Sequence, residues 1–76
     1  MITGNVSRVS TQRNAFGEVF VEVNIQADGG SEIQYFTRDR VMVLLASAQM
    51  LRPETSNAKI QFEADGSRWL TSVRLL

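Results

Sequence analysis

EVFVEVNIQADGGSEIQYF, Glu18 to Phe36, decides the fold class. Its first half alternates with period two: Val19, Val21, Val23 and Ile25 point one way and Glu18, Phe20, Glu22 and Asn24 the other, as in a strand with one face on a core. Asp28-Gly29-Gly30 then reads as a three-residue hairpin loop with a glycine in the left-handed conformation. That loop sets Ile25 opposite Ile33 and Val23 opposite Tyr35, whereas a two-residue Gly-Gly turn would set Ile25 against Gln34. Apolar parity selects the longer loop.

Downstream, RDRVMVLLASAQMLR, Arg38 to Arg52, is a helix with two apolar stripes. Val41, Leu44, Leu45, Ala48 and Leu51 follow the i, i+3, i+4, i+7 spacing of a helix lying on a core. Met42, Val43, Ala46 and Met50 form the second stripe, with Arg38 and Gln49 in one polar seam and Arg40 and Ser47 in the other. One small chain cannot readily bury both, so Met42, Val43, Ala46 and Met50 are expected to meet another copy. The competing reading covers them with the first loop or the PETSN segment of the same chain. Thr37 is the expected N-cap, with Asp39 in the first turn; Pro53 ends the helix and Arg52 suits its carboxyl end.

Upstream, Ile2 to Val9 reads as a strand, with Ile2 and Val6 on one face and a parity shift at Val9 that signals a bulge or bend. Ser10 to Gly17 is the expected loop. After residues 53–57, Lys59 to Leu75 reads as a hairpin closed by Asp65-Gly66 in a type I′ turn. That register pairs Phe62 with Trp69 and Glu63 with Arg68, and makes Trp69 a core anchor.

The composition narrows function. A chain of 76 residues makes one domain, residues 1–76, at a size where a single core is marginal unless subunits associate. It has no cysteine for thiolate chemistry or disulfides and no histidine to act as a base near neutral pH. Glu18 and Glu22 sit four residues apart on a strand, roughly 13 Å, too far to act as a carboxylate pair. The Asp28 to Glu32 turn lacks both the alternating acids of a calcium loop and the lysine of a phosphate loop. A non-enzymatic module without metal or cofactor is expected. The N-terminus lacks a leader pattern and no apolar run approaches the ~20 residues of a membrane span, so a cytoplasmic location without membrane partners is expected.

The order strand, strand, strand, helix, strand, strand resembles the OB-fold, a five-stranded Greek-key barrel. The resemblance spans nearly the whole chain and lies in the pattern of elements. It implies an OB-like barrel; the alternative is a strongly curved antiparallel sheet packed on the helix. No function carries over from a resemblance of pattern; the strand register itself offers a candidate face for single-stranded nucleic acid, with Phe20 and Phe36 outward on the second and third strands, Arg38 opposite Phe20, and Phe16, Arg13 and Arg8 extending the surface. Two features depart from such a binder: the loop joining the last two strands is short, and eight acidic side chains cancel eight basic ones. The leading expectation is therefore a homo-oligomeric binding or assembly module. A nucleic-acid binder is the runner-up, and a small-molecule pocket between subunits remains open.

Overall fold

The computed structural model describes residues 1–52 and 58–76. The elements are β1 (Ile2–Arg13), β2 (Val19–Ala27), β3 (Glu32–Thr37), α1 (Arg40–Met50), β4 (Ile60–Ala64) and β5 (Leu70–Leu75). The fold is mainly β, a five-stranded antiparallel sheet in the order β3-β2-β1-β4-β5 packed on one helix. The β2–β3 hairpin has the register that parity required, with Ile25 opposite Ile33 and Val23 opposite Tyr35. Gly29, at φ 71°, supplies the left-handed residue of its turn.

β1 is longer than expected. Its polar second half, Ser10–Arg13, pairs with Val19–Glu22, because unpaired backbone groups are satisfied by a neighbouring strand whatever the side chains. The expected Ser10 to Gly17 loop shrinks to a turn built on Asn14, whose Oδ1 accepts the N–H groups of Phe16 (2.9 Å) and Glu18 (3.0 Å). The parity shift is real: the register skips between Val6 and Arg8, which carries both Val6 and Val9 to the core side. At Gly4 the strands approach so closely that a Cβ would lie 2.4 Å from the Gln26 carbonyl oxygen.

The last hairpin repeats the Asn14 device with an aspartate. Asp65 Oδ1 accepts the N–H groups of Ser67 (2.9 Å) and Trp69 (3.0 Å), and Arg68 takes the left-handed position at φ 67° that Gly17 holds at φ 80° in the first turn. Two satisfied amides favour this longer turn over the type I′ turn. The register changes accordingly: Phe62 faces Val73, Glu63 faces Ser72, and Ala64 faces Leu70. Trp69 leaves the core.

The two sheet edges meet once. Phe36 and Trp69 form a parallel bridge, in which the Phe36 N–H donates to the Arg68 carbonyl at 2.9 Å. No ladder runs along this seam among the described residues, so the sheet is strongly curved and not closed. Inside it lie Val6, Val23, Ile25, Tyr35, Ile60, Phe62 and Leu70, with the Tyr35 and Phe62 rings 4.8 Å apart at 68°. Each fully buried side chain of this kind stabilises the fold by about 1.5–3 kcal/mol.

α1 turns the opposite way from the expectation. Ala46 is fully buried, and Met42 and Met50, expected to meet another copy, pack against the core. Val43 is half-buried at the flank. Val41, Leu44 and Leu51, expected on the core, are 63%, 68% and 77% exposed, and Ala48 is exposed beside them. The cause is Gln49, only 2% exposed. The β1–β4 ladder ends at Gly4–Ile60, and beyond it the Gln49 amide stands between the strands. Its Oε1 accepts the Val6 N–H at 2.6 Å, while its Nε2 donates to the Ala58 carbonyl at 3.3 Å and to Asn5 Oδ1 at 3.0 Å. Meeting those backbone groups rotates the Met42-Ala46-Gln49-Met50 face inward.

The cap also sits two residues later than expected. Asp39 is the N-cap, its carboxylate accepting the Val41 and Met42 N–H groups at 2.8 and 3.2 Å. The buried Thr37 hydroxyl instead accepts the Asp39 N–H at 3.0 Å, supporting the cap from behind. The expected stop at Pro53 and the PETSN cover fall outside the described residues.

Candidate binding surfaces

The outward side chains of β2 and β3 alternate with the core residues, which places Phe20 and Phe36 on the far side of the sheet. The Asp65 turn adds Trp69 to them. Ring centroids are 5.9 Å apart for Phe20 and Phe36, 6.0 Å for Phe20 and Trp69, and 5.7 Å for Phe36 and Trp69. The Arg38 guanidinium lies 4.5 Å from the Trp69 ring centre, a cation–π contact that tethers the charge over the cluster. All three rings are half-buried, and Glu22 stands opposite Phe36 in the ladder.

The expected face is therefore assembled in part. Phe20, Phe36 and Arg38 come together, and Trp69 joins them unforeseen. Phe16 is 88% exposed at the tip of the first turn and makes no ring contact with the cluster among the described residues. Arg8 and Arg13 are exposed on β1, opposite Asn24 and Val19.

Next to this cluster a groove of about 510 Å³ is lined by Val19, Phe20, Val21, Arg38, Arg40, Val43 and Leu44. It lies between the first residues of β2 and the first two turns of α1. On its far rim begins the outer stripe of the helix: Val41, Leu44, Ala48 and Leu51. Among the described residues the Lys59–Asp28 pair, at 2.7 Å, is the ion pair formed; neither Arg38 nor Arg40 enters one.

Two residues that matter here escaped the sequence reading. Gln49 reads from sequence as part of a polar seam, although its place beside Ala46 and Met50 on one helical row is the available signal. Trp69 follows Asp65 by four residues as Glu18 follows Asn14, and that shared spacing marks both turns. No helix among the described residues is long and apolar enough to cross a membrane. The chain matches no protein-family model, no curated protein and no solved structure.

Proposed function

We propose that the chain is a non-enzymatic assembly module of the cytosol that pairs with a second copy through the outer stripe of α1. The observation that carries this reading is the exposure of Val41, Leu44 and Leu51 on one helical face, at 63%, 68% and 77%. Contiguous apolar surface of this kind marks contact sites on small soluble chains. Two copies related by a two-fold axis would lay stripe against stripe, each Leu44 near the axis. An 11-residue helix presents less than the roughly 800 Å² per partner of a standard specific interface, so the pair should exchange with monomer at micromolar concentrations. Light scattering after size exclusion, over a dilution series, tests this. Doubling of mass with concentration is expected, and Leu44→Glu with Leu51→Glu should hold the chain monomeric and folded. A parent that stays monomeric at millimolar concentration overturns the reading.

A second reading is favoured by the aromatic cluster: a single-stranded nucleic acid stacked on Phe20, Phe36 and Trp69. The seam gives the strands the cyclic order β1-β2-β3-β5-β4, which resembles the OB-fold, whose second and third strands form the usual ligand face. Each stacked base would contribute about 1–3 kcal/mol. The rings here are half-buried against one another and Glu22 repels phosphate beside them, which ranks this reading second. Quenching of Trp69 fluorescence by an oligonucleotide 20-mer, relieved by salt, would reverse the order.

A further inference from the structure

We propose that the groove at the start of β2 docks an extended peptide segment carrying apolar and acidic side chains, which adds to the sheet as a short strand in line with β3. The backbone is open there. β2 is paired with β1 down to Val19, but its ladder with β3 stops at Val21 and Thr37, so Val19 and Phe20 have a strand on one side only.

The hydrogen-bonding alternation gives the direction of the free groups. Asn14 donates to the Glu18 carbonyl at 2.9 Å, so the bonds of β2 toward β1 fall on even positions. Phe36 sends its N–H to Arg68, away from β2, which puts the β2–β3 bonds on Val21 and Val23. By the same alternation the N–H and C=O of Val19 point into the groove. Such an edge is a template for a further strand.

The side chains define the occupant. Val19, Val21, Val43 and Leu44 make the lining apolar on the helix side, and Arg38 and Arg40 set two positive charges along it. No acid lines the groove; the Asp39 carboxylate caps α1, that of Glu18 accepts the Asn14 side-chain amide at 3.1 Å, and Glu22 lies on the outward face of β2 opposite Phe36. An extended segment whose apolar residues rest on Val43 and Leu44, with a carboxylate on either flank, matches lining, charge and edge together. The groove shares Leu44 with the self-association stripe but not Val41 or Leu51, so protection of the Val19 amide, which self-association through the stripe does not touch, is what separates the two.

The test is an amide NMR titration of the full chain with the capped hexapeptide Glu-Val-Glu-Val-Glu-Val and its lysine counterpart. Shift changes confined to Val19–Val21 and Leu44, slowed exchange of the Val19 amide, and no response to the lysine peptide are expected. Arg40→Gln, at an exposed position, should weaken binding by about two- to five-fold, the upper part of the range for one exposed charged contact. Equal response to the lysine peptide, or changes elsewhere on the surface, overturns the proposal. Decanoate binding at the same residues without protection of the Val19 amide overturns it too, in favour of a small amphiphile. Light scattering on the same samples reports self-association separately.

Discussion

Replacing Gln49 by methionine removes the amide that stands between β1 and residue 58 while keeping close to its length and volume. The Val6 N–H, now bonded to Gln49 Oε1 at 2.6 Å in a buried setting, loses its acceptor, and the β1–β4 ladder, which ends at Gly4–Ile60, does not extend to replace it. Leaving such a donor unsatisfied costs about 1–3 kcal/mol. The Ala58 carbonyl and Asn5 Oδ1 also lose a donor, at the longer distances of 3.3 and 3.0 Å, and Asn5 Oδ1 keeps the Arg52 guanidinium. Methionine regains part of the loss by burying apolar surface, which leaves a net destabilisation of about 2 kcal/mol. At about 4–8 °C per kcal/mol for a domain of this size, the melting temperature should fall by about 8–16 °C. Urea unfolding followed by circular dichroism at fixed protein concentration measures it, with the midpoint shifted and the slope unchanged. A loss under about 0.5 kcal/mol, the range of an ordinary surface change, would refute the argument that Gln49 fixes the rotation of α1.

That rotation has its own test: Met42→Glu with Met50→Glu should prevent folding, whereas Leu44→Glu with Leu51→Glu should leave the circular dichroism spectrum intact. Gly4→Ala should destabilise by about 2 kcal/mol or more, since its Cβ would meet the Gln26 carbonyl oxygen at 2.4 Å and one strand must move; denaturant titration reads the loss. The two matched turns make a pair: Gly17→Ala should lose about 1 kcal/mol and Arg68→Gly should gain up to about 1 kcal/mol, because both positions hold φ near +70°. Opposite signs in thermal melts are the expected outcome; equal signs would show that the turn backbone is not what decides.

The elements legible in the sequence were those in which local chemistry agrees with long-range pairing. In β2 and β3 the valines, Ile25, Ile33 and Tyr35 fall on one parity, and only one loop length keeps them together. The rotation of α1 was not legible. The leucine-rich stripe of Val41, Leu44, Leu45, Ala48 and Leu51 is the more apolar and points the wrong way, and the deciding partner of Gln49, the Val6 N–H, is 43 residues away. The last hairpin misled because Asp-Gly carries a strong two-residue turn preference, while the acceptor role of Asp65 depends on the Ser67 and Trp69 amides folding back onto it. At the candidate surface, Phe20, Phe36 and Arg38 followed from strand parity, and Trp69 was lost with the turn. Phe16, Arg8 and Arg13 are exposed as expected, but sequence pattern says nothing about which way the tip of a hairpin leans.

The single bridge between Phe36 and Trp69 bears on the order in which the chain is completed. Neighbouring hairpins close short loops and need little chain entropy, whereas this bridge joins segments on either side of the whole helix. It is also a single bridge with no ladder beside it among the described residues, so it has few neighbouring contacts to hold it shut. The residue whose carbonyl accepts the Phe36 N–H there, Arg68, is also the left-handed residue of the Asp65 turn. One backbone conformation thus governs both a local reversal and a distant suture. Sequence change at Arg68 should set how often the sheet unzips along that line, and with it how often the contact between the Phe36 and Trp69 rings parts.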